Sequence, residues 1–250
     1  MVWVLDLDGV VWLGGHPIAG APEAVACLRE AGHQVVFMTN NSGPTVAGHV
    51  KALTDAGIPA RADELVTSAQ AAASLLRPGS TAAVVGEAGI HEALDARGVA
   101  VVDATSHPDA VVVGRSVDLD YASLAAAATA LRQGARFVAA NDDATFPSPV
   151  GLLPGAGAVV AFLATASGVE PDVAGKPGAG AAELVRARFG DVAVVVGDRP
   201  DTDGRFARLI GARFALVLSG VTTSADLPVD PVPDTVSADL ARVVADLVPG

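Results

Sequence analysis

Two aspartates, Asp6 and Asp8, interrupt the apolar run WVLDLDGVVW at residues 3–12. Trp3, Val4 and Leu5 belong in a core, whereas a carboxylate is costly to bury without a partner. Spaced by two in an extended chain, the two acids point the same way. Neighbouring carboxylates repel each other, and Mg²⁺, a hard cation that prefers oxygen, would hold them together. Gly9 directly behind them allows a sharp turn or a close approach to a ligand. The plain alternative is a strand that ends at solvent in a polar turn.

Three more stretches could carry chemistry. VVFMTNNSG, residues 35–43, is again an apolar run that ends in small polar residues. Thr39 and Ser42 offer hydroxyls, and Asn40 and Asn41 suit a turn whose exposed amides could grip a phosphate. In AGKPGAG, residues 174–180, Lys176 is the only lysine after Lys51. Set between glycine and proline, it suits a point-charge contact to phosphate. In VVVGDRPDTD, residues 194–203, Asp198, Asp201 and Asp203 crowd behind an apolar run. That acid density reads as a metal ligand with supporting carboxylates. The alternatives are an ordinary turn, a solvated lysine and a capped helix start.

These stretches need elements to carry them. The spacing of apolar residues predicts strands at 2–5, 34–38 and 64–67, alternating with helices at 21–31, 45–56 and 69–76. Such βαβα alternation gives a parallel sheet with helices on both faces. A middle part has strand-like runs at 82–86, 99–102, 110–113 and 136–140 around helices near 88–97 and 121–133. The first rhythm resumes with a helix at 178–188, strands at 192–198 and 213–218, and a helix near 203–210. The fold expected is α/β: a doubly wound, Rossmann-like parallel-sheet core from residues 1–78 and 173–250, with an α/β domain inserted at 79–172. In such a sheet, ligands bind beyond the carboxyl ends of the strands, where three of the four polar stretches fall.

Composition narrows the functions. The chain has 250 residues, 51% of them hydrophobic, enough for a sizeable core. A net charge of −12 argues against nucleic acid and against anionic membrane surfaces. The uncharged stretch 144–169 is broken by Pro147, Pro149 and Pro154, and its helical part, near 156–167, is too short for a bilayer. No signal peptide is evident, and the single cysteine fits a reducing cytoplasm. Cys27 itself, between Val25 and Leu28, reads as a buried structural thiol. The five histidines show no metal-ligand spacing, and Trp3 and Trp12 read as packing groups.

In their order, DLDGV, TNNS, VTSAQ (66–70), LLPGAG (152–157), AGKP and GDRPDTD resemble the haloacid dehalogenase-like (HAD) hydrolases, and within them the NagD-like, 4-nitrophenylphosphatase branch. The resemblance spans essentially the whole chain. It implies a catalytic core at 1–78 and 173–250 and an α/β cap at 79–172. It implies Asp6 as nucleophile, Asp8 as general acid and base, and Mg²⁺ held by the Asp6 carboxylate, the Asp8 carbonyl and Asp198. Asp203 would support the metal or orient Lys176. Thr39, Lys176, Asn40 and Asn41 would bind the phosphoryl group. From the cap, Asn141, Asp143 and Thr145 would face the substrate. Arg115 stands where the branch often has a non-basic residue and would contact an anionic substrate or stay solvated. Pro200 and Gly204 also depart from the family's habit, and Gly204 would loosen the helix behind it.

The function so implied is hydrolysis of a small phosphomonoester, with glycerol 3-phosphate or phosphoglycolate as leading candidates. Nucleotides, sugar phosphates and pyridoxal phosphate are the alternatives within the branch. Outside it stand a phosphomutase and a phospho-accepting signalling domain, which would also use acids, a hydroxyl and a lysine on such a sheet. The partner expected is a small phosphorylated metabolite, with no nucleic acid, no membrane, and a homodimer formed through the cap.

Overall fold

The structure, a computed structural model, describes residues 1–148 and 151–248. Pro149 and Val150 of the expected insertion, and Pro249 and Gly250 at the end of the expected core, lie outside them. The chain forms two compact units. One takes in Met1–Thr39, Ala47–Val66 and Ala182–Gly250; the other takes in Asn40–Val46 and Thr67–Ala181.

The first unit is built on six parallel strands. Across the sheet they run Thr235–Ser237, Arg213–Val217, Val192–Gly197, Val2–Asp6, Gln34–Thr39, Leu65–Thr67. Numbered along the chain, this order is 6-5-4-1-2-3, the doubly wound arrangement. Val2–Asp6 lies between two neighbours and is buried throughout. This explains why it reads as a continuous apolar run rather than an alternating one. Leu5 pairs with Val196, and Asp6 with Met38. The ends of three strands therefore leave the sheet at one level, at the point where the order reverses.

The helix Ala21–Glu30 shows how the sequence buries one face. Ala21, Ala24, Val25 and Leu28 are buried, a stripe with spacings of three and four. Cys27 falls off that stripe and is exposed, so the expected buried thiol is corrected. Val25 and Leu28 face the core, while a rotation of about 100° per residue turns Ala26 and Cys27 outward. The helix expected near 203–210 begins as a wide π-type turn, Pro200–Gly204, and continues as Arg205–Ile210. Behind the proline-rich loop 228–233 come a strand, Thr235–Ser237, and a helix, Leu240–Leu247, that the sequence did not announce. Among the described residues no helix is long and apolar enough to cross a membrane.

The second unit has its own parallel sheet, in the order Asp172–Val173, Arg136–Ala139, Ala110–Val113, Thr81–Val85, Ala100–Val101. Val111, Val113 and Phe137 from its strands pack with Leu131 and Leu163 from the helices Tyr121–Arg132 and Ala156–Ser167. An antiparallel pair, Thr145–Ser148 with Gly151–Pro154, is also present. Beyond residues 79–172 this unit takes in 40–46, 67–78 and 173–181, and hydrogen bonds tie the first of these to it. Gly89 N donates to Gly43 O at 2.8 Å, Val46 N to Glu92 Oε2 at 2.6 Å, and Arg115 N to Ser42 Oγ at 3.0 Å.

One polar anchor steadies the segment behind the wide turn. Asp234 Oδ2 accepts from Phe214 N at 2.7 Å and from Arg208 Nη1 at 2.8 Å. The Phe214 amide, with help from Arg208, holds this carboxyl below the usual carboxylate range against a smaller effect of burial. A depressed folded-state pKa contributes stability above the unfolded value, and that stability is lost as pH falls through the folded one. Asp234→Ala should therefore lower stability at pH 7 by about 1 kcal/mol, after allowance for partial exposure. In denaturant titrations the gap to the parent should narrow as pH falls below about 4 and close only once the depressed folded-state carboxyl is itself protonated.

Candidate active site

The first unit gathers three carboxylates. Asp6 ends its strand, Asp198 directly follows Val192–Gly197, and Asp203 sits in the wide turn. One oxygen of each lies within 4.8 Å of the others, and all three residues are buried. Glycines make the crowding feasible. Gly9 has φ +81°, and a Cβ there would run into the Asp198 carboxylate. A Cβ at Gly220 would strike Asp198 as well, and one at Gly197 would strike Asp203. Asp198 Oδ2 accepts from Val221 N at 2.5 Å, and Asp203 Oδ2 from Arg199 N at 3.1 Å.

Two such charges 4 Å apart repel by about 4 kcal/mol at an effective dielectric of about 20. A donor set made only of carboxylate oxygens fits a hard divalent cation such as Mg²⁺ and does not suit a soft metal. The fit is chemical and local: buried oxygens, small neighbours, and amide groups that orient two of the three acids.

Asp8 stands apart from this trio. Its Oδ1 accepts from Trp12 Nε1 at 3.0 Å. The turn between them is tight, with Gly9 N donating to Trp12 O at 2.6 Å, and Ser219 Oγ holding Gly9 O at 2.7 Å. Trp12, expected only to pack, thus donates a hydrogen bond to Asp8. The signal in the sequence was an indole four residues behind the acid, legible only once the turn is known. Thr39, buried, follows the Met38 that pairs with Asp6, which puts it at the same edge of the sheet. Asp201, third of the acids in GDRPDTD, lies outside the trio and pairs with Arg199 at 3.0 Å. Burial pushes its carboxyl up, but the hydrogen bond and charge of Arg199 outweigh this and hold it low.

A Cβ at Gly204 would lie 2.9 Å from Phe214 Cε1 and from Pro231 Cγ, so close packing asks for glycine. Pro200 opens the wide turn, where a missing N–H costs little.

In the second unit, Asn40, Asn141, Asp143 and Lys176 form one network. Asn40 Oδ1 accepts from Lys176 N at 2.9 Å, and its Nδ2 donates to Lys176 O at 3.0 Å and Asp143 Oδ2 at 3.2 Å. Asn141 Nδ2 donates to Asn40 O at 2.6 Å, and its Oδ1 accepts from Asp143 N at 3.1 Å. Lys176 and Asn141 are buried. Asn41 spends its Oδ1 on Gly43 N at 3.1 Å, a local turn. Thr145 is exposed on its strand. Arg115 is not simply solvated: its Nε lies 3.4 Å from Glu87 Oε1, and its guanidinium covers the Phe146 ring at 4.6 Å.

Comparison with known proteins agrees with this architecture. Residues 3–100 match the haloacid dehalogenase-like hydrolase family, and residues 173–243 the HAD-hydrolase-like family. The chain is 42% identical over 233 residues to a D-glycerol 3-phosphate phosphatase of Mycobacterium tuberculosis, which covers 89% of this chain but only 64% of that protein. It is 34% identical over 253 residues to an acid sugar phosphatase of Staphylococcus saprophyticus, covering 98% and 97% of the two chains. A solved glycerol phosphate phosphatase from M. tuberculosis in complex with magnesium superposes with a TM-score of 0.91 at 38% identity, over 97% of this chain and 75% of that one. A p-nitrophenyl phosphatase from Archaeoglobus fulgidus gives 0.91 at 31% identity, over 98% of each. With the doubly wound sheet and the acidic trio at its switch point, these likenesses show that the chain belongs to the haloacid dehalogenase-like hydrolases, in their NagD-like, 4-nitrophenylphosphatase branch.

Proposed function

We propose that the protein hydrolyses small phosphomonoesters through an aspartyl-phosphate formed on Asp6. It is a phosphoric monoester hydrolase of the HAD type, and Mg²⁺ is its cofactor. The observation that carries the reading is the buried trio Asp6, Asp198 and Asp203 within 4.8 Å, at the switch point of a doubly wound sheet.

The chemistry follows from the residues. When bound by Asp6, Asp198 and the Asp8 carbonyl, with Asp203 in support, Mg²⁺ offsets the negative charge that would otherwise keep a carboxylate and a phosphate apart. An Asp6 oxygen attacks phosphorus in line, the ester P–O bond breaks, and Asp8 gives its proton to the leaving alkoxide. Water then attacks the acyl phosphate, Asp8 takes back a proton, and orthophosphate leaves with Asp6 restored. Thr39 and Lys176 hold the phosphoryl oxygens, with Asn40 and Asn41 beside them. Residues 1–78 and 173–250 act as the catalytic core and 79–172 as a cap. From the cap, Asn141, Asp143, Thr145 and Arg115 select the rest of the substrate.

Glycerol 3-phosphate is the substrate we favour, supported by the likeness to the mycobacterial enzyme. A sugar phosphate is the second reading, supported by the staphylococcal relative of matching length. We place the protein in the cytoplasm, as a homodimer joined through the cap. A phospho-accepting signalling role is disfavoured by Asp8, whose proton transfers complete a hydrolytic cycle.

Phosphate release from 4-nitrophenyl phosphate, glycerol 3-phosphate, phosphoglycolate and sugar phosphates tests this directly. EDTA should abolish turnover, and Asp6→Asn should lower kcat by about 10⁴-fold or more. Turnover that survives both would refute the mechanism, and the ranking of kcat/KM identifies the substrate class. A second expectation concerns Trp12. Trp12→Phe removes the hydrogen bond to Asp8 and should slow glycerol 3-phosphate by about 10-fold. It should spare kcat/KM for 4-nitrophenyl phosphate, whose phenolate leaves without a proton, because kcat/KM reads the steps up to departure of the alcohol and not the shared hydrolysis of the acyl phosphate. Equal losses in kcat/KM on both esters would mean that Trp12 does not act through the proton Asp8 gives.

A further inference from the structure

Asn40 spends its side chain on the main chain of another residue. Its Oδ1 accepts from Lys176 N at 2.9 Å, and its Nδ2 donates to Lys176 O at 3.0 Å, so one amide holds both peptide groups of Lys176. The same Nδ2 reaches Asp143 Oδ2 at 3.2 Å. Asn40 is itself pinned, because its carbonyl accepts from Ser68 Oγ and Asn141 Nδ2, each at 2.6 Å. Gly175 lets the segments close up: a Cβ there would lie 2.7 Å from Asn40 Oδ1 and 2.5 Å from Ala140 O. Three segments distant in sequence thus meet on Asn40.

We infer that Asn40 is a positioning residue, which sets the place of the Lys176 ammonium by fixing the Lys176 backbone. The inference rests on the reading of Lys176 as the cation that binds the phosphoryl group, and gives Asn40 a different role from direct substrate contact. A lysine stem is long and flexible. An ammonium on such a stem stands in one place only if its Cα does. A carboxamide suits the task because it carries a donor and an acceptor on one planar group. Aspartate offers no donor for Lys176 O and would repel Asp143. Asn40 also follows Thr39 directly, so one short segment supplies a phosphoryl ligand and the clamp for the lysine.

A double-mutant cycle tests the inference. Activity on 4-nitrophenyl phosphate with Mg²⁺, and Tm, are measured for the parent, Asn40→Ala, Lys176→Met and the double variant. Asn40→Ala should lower kcat/KM by about 10- to 100-fold, the cost of a misplaced catalytic group. Lys176→Met should cost about 100- to 1,000-fold. The double variant should fall no more than about twofold below Lys176→Met, since the effect of Asn40 passes through the missing ammonium. The Tm cost of Asn40→Ala should be the same in both backgrounds, because methionine keeps the backbone that Asn40 holds. Losses that multiply would overturn the inference and show that Asn40 acts on substrate by itself. Nearly full activity in Lys176→Met would instead remove the reading of Lys176 on which the inference stands. If Asn40→Ala does not fold, Asn40→Asp runs the same cycle, since it keeps the size and loses the donor.

Discussion

Three carboxylates brought within 4.8 Å of one another inside a protein repel, and the first unit is arranged around that repulsion. Asp6, Asp198 and Asp203 come from three different points of the chain, and glycines crowd two of them into place. Gly9 and Gly220 crowd Asp198, and Gly197 crowds Asp203. Backbone amides of Val221 and Arg199 orient two of the acids. A fold maintains such an arrangement only if something offsets the charge, and a hard divalent cation does so with the donors present. The same cation resolves a larger conflict, since a chain of net charge −12 must draw in an anionic phosphate ester.

The sheet supplies the geometry. The order 6-5-4-1-2-3 reverses between Val2–Asp6 and Val192–Gly197, which opens a crevice beyond the strand ends where two adjacent connections diverge. Asp6 and Asp198 leave the sheet side by side there because Leu5 is in register with Val196. Small departures from the family's pattern are absorbed locally. Gly204, next to Asp203, has its absent side chain replaced by Phe214 and Pro231.

Much of this was legible in the sequence, and for identifiable reasons. Long buried strands such as Val192–Gly197 declare themselves as apolar runs, and an acid at the end of one is conspicuous. Asp203 was legible as one of three acids behind Gly197, and only the resemblance to the family separated it from Asp201, which pairs with Arg199 instead. Thr235–Ser237 is too short to show a period. Cys27 was misread because its neighbours in sequence are apolar while helical rotation, not adjacency, decides burial. The indole bond to Asp8 depends on the shape of a six-residue turn, and the grip of Asn40 on Lys176 spans 136 positions. Such contacts belong to the tertiary structure, and no local pattern encodes them.

The central claim is that the buried trio is a metal site, and thermal unfolding with and without Mg²⁺ tests it most directly. The parent should rise in Tm with Mg²⁺, as any ligand of the native state alone requires. Asp198→Asn, which can still accept from Val221, should be more stable than the parent without metal, because one repelling charge is gone. It should also lose at least about tenfold in Mg²⁺ affinity, read from the dependence of Tm on Mg²⁺ concentration. A variant that answers Mg²⁺ as the parent does, and is no more stable without it, would contradict the account.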